Sequence, residues 1–258
     1  MDSMVSAPLF SGFLCLGMLL FIEIGRRVGE RWVRQGQDAA QPGLAAVEGA
    51  VFALFGLLLA FTFNGAAARF DSRRMLIAEE ANSIGTAYLR LDLLTADDQP
   101  IVRETFRRYV DSRLAFYRKL PDLEAAKAEL VVSTNLQGQI WSKSMLAIHA
   151  KGASPDATKL LIPALNQMID LTTTRTMASR IHPPRVIYGL LFVLSLGCAL
   201  LAGFGMAGGR RSWTHILGYV AITVVTIFVI VDMEYPRGGL IRLDAYDQPL
   251  AEMRQSMR

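Results

Sequence analysis

Charge is scarce in this chain: of 258 residues only 19% are Asp, Glu, Lys or Arg, where a soluble domain carries about a quarter. Histidine and cysteine are scarcer still, with three and two residues. His149, His182 and His215 lie far apart with no ligand-spaced partner, which argues against a zinc site. Cys15 and Cys198 each fall inside an apolar run, where a thiol is a small packing residue, so neither a disulfide nor redox chemistry is implied. The sequence has no nucleophile elbow, P-loop or His-Glu-x-x-His helix. Gly203-Phe204-Gly205-Met206-Ala207-Gly208 has the spacing of a dinucleotide fingerprint, but it closes an apolar run instead of joining a strand to a helix. These absences predict a protein that is not an enzyme and holds no metal or cofactor. The 27 Lys and Arg are interleaved with 23 Asp and Glu, so no basic face for nucleic acid forms. The net charge of +4 reads as membrane-surface basicity.

What the chain has in quantity is apolar sequence, 52% of its residues, gathered into runs. Four stretches lack Asp, Glu, Lys and Arg altogether: Ser3 to Ile22, Gly49 to Ala68, Val186 to Gly209 and Ser212 to Val231. Each has at least 20 residues, enough for a helix to cross a hydrocarbon core of roughly 30 Å. Helices are the expected form, because an isolated strand leaves backbone amides unpaired in lipid. The predicted layout is an all-α membrane protein, with four transmembrane helices in two hairpins flanking an extramembrane helical bundle. The spans are placed at 5–25, 45–68, 185–207 and 212–232, the soluble helical domain at 69–181 and a tail at 233–258. The first run has no positive side chain before it and no small-residue cleavage site, so it reads as a retained anchor.

An even number of crossings puts both ends and the helical domain on one side. Arginines flank both faces: Arg26, Arg27, Arg31, Arg34, Arg210 and Arg211 in the short loops, and an equal set around the long segment. Positive charge in short loops marks the cytoplasm, which leans the helical domain outward.

The soluble segment reads as helical throughout. Ile77, Ala81, Ile84, Tyr88 and Leu91 recur at steps of four and three, a coiled-coil seam, and no Pro separates this seam from the second span. One long helix is therefore expected from about Ala45 to Leu94. A second helix, with Pro100 near its start, carries Val102, Phe106, Tyr109, Arg113 and Tyr117 on one stripe and stops at Pro121. A third runs from Leu123 to His149 with Leu136, Ile140 and Trp141 as core. A fourth runs from Asp156 to Ser179 with Leu161, Leu165, Met168 and Thr172 facing inward.

Two sets of residues stand out as functional candidates. The second span stacks Phe52, Phe55 and Leu59 on one stripe with Phe63 a turn further, and it carries Glu48 at its start and Asn64 near its end. The default for such a stripe is packing or lipid contact; in a channel it forms hydrophobic rings that gate by dewetting. Glu48 and Asn64 are default interfacial groups and, in a channel, ion-path residues. Just beyond the span, Glu79, Asn82 and Thr86 share a face beside the apolar seam, a polar strip of the kind that sets register or partner choice.

The string Glu80-Ala81-Asn82-Ser83-Ile84-Gly85-Thr86-Ala87-Tyr88-Leu89-Arg90 resembles the bestrophin-like family of membrane proteins. So does the ending Asp232-Met233-Glu234-Tyr235-Pro236-Arg237-Gly238-Gly239-Leu240-Ile241, with Gln248-Pro249-Leu250 beyond. The resemblance implies kinship with bestrophins, which are pentameric anion channels with a helical cytosolic region and hydrophobic rings on the second span. It puts the helical domain in the cytoplasm, against the lean from charge. No acidic cluster matching a bestrophin calcium clasp is evident.

Two readings follow. The first is an oligomeric ion channel in the bacterial inner membrane, a multi-pass homo-oligomer whose second spans surround a path for inorganic ions among membrane lipid. The alternative is a membrane-anchored signalling or scaffold protein whose helical domain binds a ligand or partner.

Overall fold

The structure, a computed structural model, describes residues 7–35, 42–120, 122–209, 211–236 and 239–257. Among these every regular element is a helix: α1 (Ala7–Arg34), α2 (Pro42–Leu89), α3 (Gln99–Lys119), α4 (Leu123–Ala147), α5 (Ala157–Ala178), α6 (Arg185–Gly205), α7 (Trp213–Glu234) and α8 (Gln248–Ser256), with short 3₁₀ turns at Arg90–Leu93 and Asp244–Asp247. The stop expected at Pro121 and the charge expected of Arg210 lie outside the described residues. Four helices, α1, α2, α6 and α7, are long and apolar enough to cross a membrane. The chain divides into two compact units, one of Met1–Arg69 with His182–Tyr235 and one of Phe70–Ile181 with Pro236–Arg258.

In the first unit α1 turns Ser11, Leu14, Met18, Ile22, Gly25 and Gly29 inward at helical spacing. Two of these are glycine because the helices nearly touch. A β-carbon built on Gly25 would stand 1.9 Å from the Leu200 carbonyl oxygen of α6, and one on Gly203 would stand 2.0 Å from that of Ile22. Such backbone approach is how helices associate where lipid removes the hydrophobic drive between them. Small residues thus hold α1 against α6, while Leu14, Met18, Leu191, Ile216 and Val220 fill the core around them.

In the second unit the seam on α2 is buried as spaced: Ile77, Ala81, Ile84 and Tyr88 are at most 6% exposed, and Leu91 in the following turn is fully covered. The long helix ends earlier than Leu94. Its last turn tightens into the 3₁₀ segment, and Leu94 is extended, with the Leu93 carbonyl accepting from the Ser154 amide. Helix ends commonly tighten this way, because their last carbonyls have no partner in the helix itself. Asp122 caps α4 by accepting from the Ala125 amide at 3.1 Å.

The segment read as a tail has a place in the fold. Leu250 of α8 is fully buried in the same core as α2, α3, α4 and α5, and Met257 lies against it. Arg254 forks onto Asp111 of α3 with Nε–Oδ1 of 2.8 Å and Nη2–Oδ2 of 2.9 Å.

Candidate functional site

The membrane portion of α2 has three distinct faces, generated by the helical period. The first carries Phe52, Phe55 and Leu59, and it packs into its own chain. Phe55 is 5% exposed within the core that α1, α6 and α7 share, and Phe52 meets Tyr219 edge to face at 6.2 Å between ring centres. The second carries Val47, Leu54 and Phe61 at intervals of seven, all well exposed. The third steps by four and three through Gly49, Ala53, Gly56 and Ala60 and arrives at Phe63, and all five are exposed. A β-carbon on Gly49 or Gly56 would meet open space.

Of the six residues singled out on this span, then, the structure gathers Phe52, Phe55 and Leu59 on the packed side. It leaves Phe63 and Asn64 exposed and Glu48 half-exposed beside Gly205 of α6. Only 6% of the most apolar window of α2 is buried, against 22% for α1, 28% for α6 and 39% for α7.

At the end of this span Arg69 reaches the last residue of α7. Its Nε donates to Glu234 Oε1 at 2.7 Å, and Nη2 lies 2.6 Å from the same oxygen. The guanidinium lies back over Gly65, where a β-carbon would come within 3.3 Å of Nη1. Glu234 is fully buried, and His182 Nδ1 stands 3.7 Å from Oε2 while its ring stacks on Tyr235 at 4.5 Å. One buried carboxylate thus ties the exit of α2, the entry to α6 and the end of α7. Burying a charge demands such pairing, since its desolvation costs several kcal/mol.

The second unit has its own buried ion cluster. Glu80 accepts from Arg113 Nε at 2.7 Å and from Arg175 Nη1, while Tyr117 donates to its second oxygen at 3.3 Å. Arg113 Nη2 also donates to the Tyr117 hydroxyl, and Arg175 Nη2 continues to Asp247 at 2.8 Å. Burial pushes the Glu80 carboxyl up, but the charges of Arg113 and Arg175 and their hydrogen bonds outweigh it and hold the group below its ordinary value. Burial likewise pushes the Tyr109 and Tyr117 hydroxyls up. The strip of Glu79, Asn82 and Thr86 lies on the outer surface of α2, one step around the helix from Glu80.

Glu80 was missed by the reading of spacing, which followed its neighbour Glu79. The available signal was Arg113, a charge in the middle of the apolar stripe of α3, which requires an acid opposite. Among the described residues no three His, Cys, Asp or Glu side chains form a group suited to a metal ion.

Comparison with known proteins agrees with this architecture. A crystal structure of a bacterial bestrophin homologue from Klebsiella pneumoniae with a single substitution is similar to this chain at a TM-score of 0.72 and 14% identity, covering 96% of this chain and 98% of that one. A second variant from the same organism has a TM-score of 0.66 at 15% identity, covering 95% and 98%. A further crystal structure, described as a membrane protein, has a TM-score of 0.62 at 15% identity, covering 95% and 99%. At these identities the likeness shows the fold. No curated protein matches the sequence. The family model for the bestrophin-like domain matches residues 12–245. That match covers most of the chain, including α2, α6 and α7 and all but the first five residues of α1: this is a membrane protein belonging to the bestrophin-like family.

Proposed function

We propose that the chain is one subunit of a homo-oligomeric ion channel in a bacterial inner membrane, with α2 of each copy facing the path. The observation that carries this reading is the three-sided character of α2. One face packs on its own chain, and Val47, Leu54 and Phe61 have the bulk that suits lipid. The remaining face is built from Gly49, Ala53, Gly56 and Ala60, small residues that suit close approach of another helix or a water-filled path, and have little to offer acyl chains. Phe63 is the one large side chain on that line and is the natural constriction, with Asn64 beside it as a polar group at membrane depth. In this reading Phe52, Phe55 and Leu59 are the scaffold behind the path, and Glu79, Asn82 and Thr86 continue the exposed side of α2 beyond the membrane. The family membership supports it, and bacterial bestrophin homologues are among the similar structures.

Ion flux into liposomes containing the purified protein tests the proposal. Wild type should carry current above protein-free liposomes, and Phe63→Ala should raise it by opening the constriction. A strict monomer, or no flux from either protein, sinks the reading.

A further inference from the structure

A second surface stands out on α1 and does not depend on the channel reading. The uncovered face of α1 runs Leu9, Phe13, Leu16 and Leu20, each between 58% and 68% exposed, and reaches Ile24 at 38%. These are the bulky chains expected against acyl tails, in contrast to the small face of α2. The same steps of three and four continue into Arg27, Arg31 and Arg34, all exposed, so one face changes from aliphatic to cationic within a turn.

The length of α1 explains where the change falls. Its 28 residues span about 42 Å against a hydrocarbon core of roughly 30 Å. The last two turns therefore stand in the headgroup layer. Trp32, 40% exposed and packed edge-on against Phe204, sits at the level where amphipathic rings collect.

The arginines here are not equivalent. Arg26 is paired with Glu30 at 3.0 Å and Arg27 with Glu23 at 2.9 Å. Arg211, stacked on Trp213 at 3.8 Å, also lies 3.4 Å from Glu23. Arg31 and Arg34 have no acidic partner among the described residues, although they lie one turn apart on the line that the aliphatic face leads to. Guanidinium groups in that position match a phosphodiester in both charge and hydrogen-bond geometry.

We propose that this face of α1 seats an anionic phospholipid. Its acyl chains lie along Leu16, Leu20 and Ile24, and its phosphate is held by Arg31 and Arg34. The plain alternative is that the two arginines only complement the dipole at the C-terminal end of α1.

The full chain in neutral detergent discriminates between these. Thermal unfolding is followed by tryptophan fluorescence with phosphatidylglycerol, phosphatidylcholine or inorganic phosphate added, and native mass spectrometry counts retained lipid. The midpoint should rise with phosphatidylglycerol only. The double variant Arg31→Gln/Arg34→Gln should lose at least half of that rise and its retained phosphatidylglycerol. Arg108→Gln, an exposed arginine of α3, should behave as wild type. An equal response to phosphatidylcholine, or to free phosphate, overturns the proposal. So does a double variant that melts lower by the same amount under every condition, which is the dipole result. A double variant that changes the mass of the assembly while keeping its lipid response gives this face to a second copy of the chain and also overturns it.

Discussion

Glu80 and its two arginines are the most consequential side chains of the helical unit. All three are at most 6% exposed, and the carboxylate forms an ion pair with both guanidiniums. Glu80→Gln keeps the volume and removes the charge, leaving Arg113 and Arg175 facing each other across a neutral amide. Breaking a buried pair by removing one partner costs roughly 3–5 kcal/mol, and chemical denaturation in detergent should show a loss of that order. The pH dependence has a definite sign. The Glu80 carboxyl is held below its ordinary value of 4.5, so its contribution is fully present above that pH and is lost as pH falls through the folded value. Wild type should lose stability on acidification through this window, and Glu80→Gln should lose less. Equal acid profiles for the two proteins would remove Glu80 from the account. At this scale sequence was a partial guide. Arg113 announced itself by interrupting an apolar stripe, whereas nothing local distinguishes Glu80 from the adjacent Glu79. Their difference lies in what α3 and α5 bring to one side of α2.

At the level of elements, the pair α1 and α6 depends on what its residues lack. Gly25 and Gly203 place backbone against backbone, and neither has room for a methyl group. Gly203→Ala must push α6 away from Ile22 or distort both helices. Overpacking costs about 1–3 kcal/mol and occasionally more, so this variant should show a lowered melting temperature and a smaller folded yield in detergent. Gly218→Ala on α7, where the added carbon meets nothing within 4 Å, should be neutral. If both variants melt like wild type, the contact is looser than described. Gly203 was visible in the sequence at the head of the glycine-bearing string that closes an apolar run, but its partner on α1 was not. The C-terminal segment makes the same point. Nine residues of α8 with Leu250 in their first turn are too few for a periodic signal, and only the hydrophobic site they fill shows that they belong to the helical core.

For the whole molecule, the prediction concerns sidedness. Four crossings, as the two-hairpin layout expects, would put the α1–α2 connection on one side of the membrane and residues 70–181 on the other. Gln35→Cys and Lys151→Cys, labelled separately in sealed vesicles with a membrane-impermeant maleimide, should react from opposite sides. The native Cys15 and Cys198 lie within spans and serve as the background. Labelling from the same side would break the two-hairpin layout. The absolute direction of that labelling also chooses between the outward lean of the arginine count and the cytoplasmic placement implied by the family.

Sequence by itself determined that this is an all-helical chain with four apolar helices, and where the seam of α2 lies. Hydropathy over some twenty residues and a repeat of three and four are local properties, written wherever the segment ends up. The tertiary structure decided which face of α2 stays uncovered, which of two adjacent glutamates is buried, and which unit the C-terminal segment joins. Those outcomes depend on partners distant in the sequence, 33 and 95 residues away for Glu80 and 143 for Arg254. The aromatic stripe on the second span shows the limit clearly. Periodicity placed Phe52, Phe55 and Leu59 on one line, but only the packing of α1, α6 and α7 showed that this line faces inward, leaving the glycines and alanines on an open face.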